Sequence, residues 1–325
     1  MEKILIIKHG ALGDFVLAIG AMFRIARLHP AAELTLMTSS PFVSLGRATG
    51  LFSHYIIDNR VSYLRLGEMR RIAREVTGGG FERIYDLQGS GRTRRKYFPA
   101  LRWLMPASFT WVHCGLGREI RVIKPRRFGM GRREPRESEP LDAVTDLSFL
   151  HGENEHFGEL PEHFVLLIPG CSPGHPYKRW PVPRYCELVR RLEARGIPSV
   201  LIGTRAEAEE LRAISAASPA AVNMLGKTTL SDVPDVARRA WATVGNDTGP
   251  THMASLAGGP TISLLDRRNS CGALRGPRSI SMISPGSTDQ ITVDQVWANL
   301  EPFLPPARRA ESGRSASLPE DGQET

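Results

Sequence analysis

Continuous apolar runs of strand length alternate with stretches of helical periodicity along most of the chain. The first run, Lys3-Ile-Leu-Ile-Ile7, is rich in β-branched residues and reads as a buried strand. Lys8-His-Gly-Ala-Leu-Gly-Asp14 follows as a glycine-bearing turn, and residues 15–28 carry helical periodicity. Strands are predicted over 33–38, 55–58 and 83–87, with helices over 42–48 and 64–76. Residues 115–140, rich in Arg, Gly and Pro, read as a long irregular connection, 142–150 as a helix candidate, and the polar, acidic stretch 151–163 as an interdomain linker.

A second alternating series opens with a strand over 164–168. A helix over 183–195 ends at Gly196, a residue suited to a helix stop. Strands over 199–202, 221–224, 242–245 and 261–265 then alternate with helices over 206–215, 230–239 and 250–257. Ser231 is the N-cap candidate of the 230–239 helix. A last helix is predicted over 292–303. From Pro305 the chain is Ser-, Arg-, Glu- and Pro-rich without period, a composition expected to be disordered. Buried strands alternating with helices are the signature of parallel sheets covered on both faces. The expected fold class is therefore α/β: two Rossmann-like domains, 1–155 and 156–304, facing each other across a cleft, with a tail over 305–325. In such sheets ligands bind beyond the strand C-termini, which directs attention to the loops there.

Composition narrows the classes. The chain has 325 residues, of which 41% are hydrophobic and 23% charged, values of an ordinary globular protein of about two domains. No apolar run reaches the length of about 18 residues that suggests a membrane span. The apolar stretch 11–22 is interrupted by Asp14 and lacks a small-residue cleavage site, so it reads as part of the fold rather than a signal. Cys114, Cys171, Cys186 and Cys271 are scattered, which fits a reducing cytosol and neither a zinc site nor a disulfide framework. The net charge of +8 is unevenly placed: residues 1–155 hold 24 Lys and Arg against 16 Asp and Glu, and residues 156–325 hold 18 of each. An acidic partner would meet the first half; the alternative is a merely soluble basic surface.

Three loops carry candidate chemistry. In the first, two glycines between strand and helix allow close backbone approach, but the G-x-x-G spacing is neither a dinucleotide fingerprint nor a P-loop. Asp14 there reads either as a first-turn carboxylate that complements the helix dipole, the reading favoured by spacing alone, or as a general base at the cleft mouth. His9 admits the same two readings. The second loop, Ile168-Pro-Gly-Cys-Ser-Pro-Gly-His-Pro-Tyr-Lys-Arg-Trp-Pro181, brings Lys178 to a helix start, either as a phosphate ligand or as a solvated cation. In the third, Asp247-Thr248-Gly249-Pro250 ends a strand and begins a helix with Pro250 as its first residue. Backbone N–H groups, a hydroxyl and the positive helix end would make an anion cradle there, although simple capping by Asp247 or Thr248 explains the same residues.

Taken together, Lys8-x-x-x-Leu12-Gly13-Asp14, Lys178-Arg-Trp-Pro181 and Asp247-Thr-Gly-x-x-His252 resemble glycosyltransferase family 9, the heptosyltransferases of lipopolysaccharide inner-core synthesis. The resemblance runs from Met1 to about Phe303. Gly203-Thr-Arg-Ala-Glu207 looks like a further family element, with Glu207 in the place of a ribose-contacting acid. Leu225-Gly-Lys-Thr-Thr-Leu230 resembles the loop bordering the adenine. The resemblance implies a GT-B fold that transfers heptose from an ADP-sugar, with inversion and without a metal, to a nascent lipid-linked core. It makes Asp14 the base and Lys178 the group that neutralises the departing diphosphate. Gly13, Glu207, Asp247, Thr248, Gly249 and His252 would contact the donor. No cofactor is implied, the ADP-sugar being a substrate.

The family's Gly-Pro-Thr turn after the last strand is replaced here by Leu264-Leu-Asp-Arg-Arg-Asn-Ser-Cys-Gly-Ala-Leu-Arg-Gly-Pro277. In the basic half, Arg92, Arg94, Arg95 and Lys96 are candidates for binding an anionic lipid-linked glycan acceptor or an anionic membrane surface. A cytoplasmic protein in peripheral contact with the inner membrane is the corresponding expectation. No helix-turn-helix, RRM or zinc signature accompanies the charge, so nucleic acid is not an expected partner. The alternatives are a GT-B protein that binds nucleotide sugars or glycans without turnover, and a GT-B nucleotide-sugar epimerase.

Overall fold

A computed structural model describes residues 1–62, 64–105, 109–113, 121–124, 132–133, 145–152, 154–172, 174–268 and 273–306. The predicted tail from 307 onwards, Cys114 and Cys271 lie outside the described residues. Among those described, the chain builds two sheets in succession.

The first sheet contains β1 (Lys3–Ile7), β2 (Glu33–Thr38), β3 (His54–Ile57), β4 (Arg83–Asp86), β5 (Thr110–His113), β6 (Arg121–Lys124) and β7 (Arg132–Arg133), in the order β3-β2-β1-β4-β5-β6-β7. Its first five strands are parallel, and β6 and β7 add an antiparallel edge. Its helices are α1 (Leu12–Leu28), α2 (Val43–Ala48), α3 (Leu66–Gly78) and α4 (Phe98–Leu104). The second sheet contains β8 (Val165–Ile168), β9 (Ser199–Leu201), β10 (Ala221–Asn223), β11 (Ala242–Asn246), β12 (Thr261–Leu265) and β13 (Ser279–Ile283), all parallel, in the order β10-β9-β8-β11-β12-β13. The helices α5 (Val182–Ala194), α6 (Ala208–Ser215), α7 (Val233–Arg239), α8 (Gly249–Leu256) and α9 (Val293–Leu300) cover it.

Both sheets reverse their winding beside their first strand, at β1/β4 and at β8/β11, and a crevice opens at such a reversal. The chain order alone places the Asp14 turn after β1, the Lys178 loop after β8 and the Asp247 loop after β11. All three motifs therefore stand at switch points.

The apolar alternation has its expected result. β1 and β8 are buried on both faces, as central parallel strands are. One apolar cluster runs from Ile4, Ile6, Phe15 and Ile19 to Leu166, Ile168, Met253 and Ala254, so α1 and α8 meet between the sheets. Separate clusters fill the outer faces, under α3 and α4 of the first sheet and under α5, α6 and α9 of the second.

Several expectations need correction. The 115–140 connection includes β6 and β7, short strands whose charged residues hide the period of an edge pair. Within 142–150 the described residues 145–150 are not helical. The Thr145 hydroxyl bonds α1 backbone groups, accepting from Gly20 N at 3.1 Å, and Arg238 of α7 donates to Leu147 O at 2.7 Å. In the stretch expected as a linker, Gly152 N donates to Asp235 at 2.6 Å, and the Asn154 amide donates to Lys227 O and Asp232. Thr229 rather than Ser231 is the N-cap before α7, in a reciprocal box with Asp232. The strand β13 has no counterpart in the sequence reading because its residues are only half-buried and alternate with serine. Gly196 does take the positive φ, +69°, of a helix stop.

Candidate functional site

The site forms where the N-termini of α1 and α8 abut. A Cβ on Gly13 would lie 3.0 Å from the His252 ring, and one on Gly249 would collide with the Leu12 side chain. Glycine at both positions is what lets the two helix starts approach, and both dipoles present their positive ends to the same region. α1 begins at Leu12, so Gly13 and Asp14 belong to its first turn rather than to the preceding loop; Asp14 is exposed.

On the second-sheet side, three sequence-predicted residues converge. Lys178 Nζ donates to Asp247 Oδ2 at 2.6 Å, and His252 Nε2 lies 3.3 Å from Asp247 Oδ1. Burial pushes the Asp247 carboxyl up, but the hydrogen bonds from His252 and Lys178 outweigh it and hold the group below the usual carboxylate range. Asp247 therefore stays ionised and keeps the Lys178 ammonium at the mouth of the cradle. Thr248 is the N-cap of α8 by position but makes no side-chain cap bond, and Pro250 is the second helical residue, after Gly249. Capping by the Thr248 side chain, one of the simpler readings of this loop, does not describe it. His252 Nδ1 is buried without a hydrogen-bond partner.

The Lys178-Arg-Trp-Pro181 segment is fixed by residues the sequence did not single out. Asn246, fully buried at the end of β11, accepts from Trp180 N at 3.0 Å and from the Tyr185 hydroxyl at 3.2 Å, and donates to Pro169 O. The Trp180 indole donates to Ile291 O at 2.8 Å and packs edge-on against Tyr185. Arg179 pairs with Glu210 at 2.5 Å. Each strap removes a way for Lys178 to drift from Asp247. The unusual loop after β12 comes to the same place: Arg268, paired with Asp266, stacks over the Tyr177 ring at 4.2 Å.

Glu207 is buried, and its Oε2 accepts from both Thr204 N and the Thr204 hydroxyl, forming a capping box at the start of the helical segment that leads into α6. It also backs the loop after β8, since a Cβ on Gly170 would meet it at 3.0 Å. One carboxylate oxygen is thus occupied within the loop.

On the first-sheet side, Lys8 is 2% exposed, with Nζ donating to Leu87 O at 3.3 Å. Burial lowers its pKa, and the charges of Asp14 and Asp86 oppose that shift. His9, also an open candidate in the sequence, is fully buried, with Nε2 2.8 Å from Asp58 Oδ2. Tyr97 donates to the same carboxylate, and Arg92 reaches Asp58 Oδ1 at 3.3 Å, Val61 O and the Tyr97 hydroxyl. Of the four cations proposed for an acceptor, Arg92 is therefore built into an internal network. Arg94, Arg95 and Lys96 are exposed on the adjoining turn. The His9–Asp58–Tyr97 cluster braces the turn leading to Asp14, and sequence reasoning missed it because Asp58 lies two strands away from β1.

Burial raises the Asp58 carboxyl, but His9 and Tyr97 more than reverse this and hold it well below the unfolded value of about 3.9. A depressed carboxylate contributes stability that is present above the unfolded pKa and is lost as pH falls through the folded one. Asp58→Asn is expected to cost about 2–3 kcal/mol at neutral pH and to flatten the acid limb of a stability curve below about pH 4. Denaturant titrations across that range check it; an unchanged acid slope in the variant would remove Asp58 as its source.

Among the described residues, no group of three or more His, Cys, Asp or Glu side chains is placed to hold a metal ion. No described helix is long and apolar enough to cross a membrane.

Two doubly wound α/β units that meet at the N-termini of α1 and α8 give this chain a fold like that of GT-B heptosyltransferases. Residues 134–269 match the family described as glycosyltransferase family 9 (heptosyltransferase). Lipooligosaccharide heptosyltransferase 2 of Haemophilus influenzae is 29% identical over 160 residues, which span 48% of this chain and 42% of that protein. The E. coli heptosyltransferase WaaC with ADP-2-deoxy-2-fluoro heptose superposes with a TM-score of 0.66 at 16% identity, over 93% of this chain and 100% of that one. The glycosyl transferase family 9 structure from Veillonella parvula DSM 2008 superposes at 0.68 and 18% identity, over 93% and 97%. At those identities the structural likeness is one of fold. The likeness to glycosyltransferase family 9 is thus a sequence match over residues 134–269 together with a shared fold over most of the chain.

Proposed function

We propose that this protein transfers a heptose or related sugar from an ADP-sugar to a hydroxyl of a lipopolysaccharide or lipooligosaccharide inner-core acceptor, with inversion and without a metal. The observation that carries this reading is the Lys178–Asp247–His252 cluster, seated against Gly13 at the junction of the two helix starts, with Asp14 in the same first turn.

In this mechanism the donor diphosphate lies over the start of α8, where Thr248, Gly249 and the helix dipole receive its oxygens. Lys178 turns from Asp247 toward the diphosphate as charge grows on the leaving group. His252 and Asp247 orient phosphate and sugar hydroxyls, and Glu207 offers its second oxygen to the ribose. Asp14 takes the proton of the acceptor hydroxyl, which attacks the anomeric carbon from the face opposite the departing ADP. One displacement with one base inverts the configuration. Residues 1–155 form the acceptor side and 156–304 the donor side, in keeping with the basic charge of the first.

A panel of nucleotide sugars screened by thermal shift tests the donor assignment. ADP and ADP-sugars are expected to raise the melting temperature at concentrations where UDP- and GDP-sugars do not. A UDP or GDP preference would overturn it.

A further inference from the structure

The outer face of the first sheet carries an apolar groove of about 300 Å³ that the mechanism above does not use. Ile72 and Val76 of α3 form one wall, Leu101 of α4 the other, and Met37 of β2 the floor. Soluble proteins seldom leave such a surface open without a use. Its rim is more apolar still: Leu66 at the start of α3 and Leu104 at the end of α4 are 62% and 58% exposed, and Leu64 just before α3 is 89% exposed.

Cations predominate around the groove. Arg70 and Lys96 line it and are exposed. Arg65, Arg74, Arg94 and Arg95 are exposed on the same helices or their approaches. The acids of α3, Glu68 and Glu75, are both engaged by Arg71. Apolar side chains flanked by cations match an anionic lipid at a bilayer surface, whose phosphate meets the cations and whose acyl chain meets the leucines.

We infer that this groove docks the protein on an anionic lipid bilayer, with Leu64, Leu66 and Leu104 entering the interface and an acyl chain occupying the space between α3 and α4. The purpose of such docking rests on the lipid-linked acceptor proposed above. The groove's inner end supports that purpose: Tyr97 lines it and bonds Asp58, which holds His9 beside the Asp14 turn. A lipid in the groove is therefore connected through two side chains to the segment that carries the proposed base.

Vesicle sedimentation tests the docking without requiring transfer. The full chain is expected to bind phosphatidylglycerol-containing vesicles and to ignore phosphatidylcholine vesicles, with binding weakened by salt. Leu66→Glu/Leu104→Glu is expected to weaken vesicle binding at least about tenfold, and Arg70→Glu about fivefold or more. Ala73→Trp, which fills the groove without altering charge, should also weaken it. All three variants should keep wild-type ADP affinity, which reports on the folded nucleotide half. Equal binding of variants and wild type, or equal binding to neutral vesicles, would overturn the inference. So would a wild-type oligomer that the leucine variant dissociates, since the groove would then be occupied by a second copy. Loss of ADP binding in the wild type would contradict the proposed function and leave the vesicle result to be read on its own.

Discussion

Asp14→Asn abolishes sugar transfer while ADP binds as tightly as to the wild type: that is the expected result with the largest effect. The substitution is nearly isosteric at an exposed first-turn position of α1, so its cost to the fold is confined to the dipole contribution, under about 1 kcal/mol. Its chemical cost is the lone pair that takes the acceptor proton, typically worth about 10²–10⁴-fold in rate. The donor is assigned to the other helix start, so ADP titrated calorimetrically into wild type and variant should give the same affinity. A variant with unimpaired transfer would leave Asp14 as a helix-capping carboxylate and no more. A variant that loses ADP binding as well would place Asp14 on the donor side.

Lys178→Ala should produce the second-largest effect and divide differently between binding and rate. Lys178 is held 2.6 Å from Asp247, and that pair is largely shielded from solvent. Removing the ammonium takes a charge-assisted contact from the bound diphosphate, about 10–100-fold in ADP affinity. It also uncovers the buried Asp247 carboxylate to the incoming phosphates, which adds repulsion. Transfer should fall further than affinity, by about 10²–10³-fold, because leaving-group charge is larger in the transition state than in the bound donor. Lys178→Arg is the informative companion. It restores a cation in a planar fork that does not reproduce the point charge, so partial recovery of affinity with little recovery of rate is expected. Unchanged ADP affinity in Lys178→Ala would remove the lysine from the donor site.

Much of this architecture was legible in the sequence because buried parallel strands are nearly continuous apolar runs. β1, β8, β11 and β12 stand out from their neighbours for that reason, and the loops after three of them hold the motifs. Elements at the sheet edges were less legible. β6 begins and ends with charges, β7 is two arginines, and β13 is half-buried with alternating serines, so none presents an apolar run. The helix α4 follows a run of cations that reads as solvated loop.

The same division holds for the site. Lys178, Asp247 and His252 could be singled out because each belongs to a strand-to-helix segment whose composition is unusual by itself. Their supports were not found, because they depend on register and on strand order. Asn246 acts through three partners from two other segments, and Asp58 meets His9 only because β3 and β1 lie in one sheet. Glu207 shows the converse. Its position was legible, but the capping box that holds one of its oxygens requires the backbone geometry at Thr204.

The basic surplus of the first half also takes on structure. Arg92 is spent inside the Asp58 network, and Arg71 on its own helix. Arg70 and Lys96 line the apolar groove, and Arg94 and Arg95 are exposed on the turn that leads into α4. The half proposed to receive an anionic, lipid-linked glycan is thus both the charged half and the one with an open apolar surface.

The most direct test of the central claim is the product formed from ADP-heptose with and without a deacylated inner-core acceptor, read by mass spectrometry and by the anomeric configuration of the product. The expected result is an acceptor heavier by one heptose, inverted at the anomeric carbon, and an intact donor when acceptor is withheld. A donor epimerised without acceptor, or no turnover despite tight ADP binding, would contradict it.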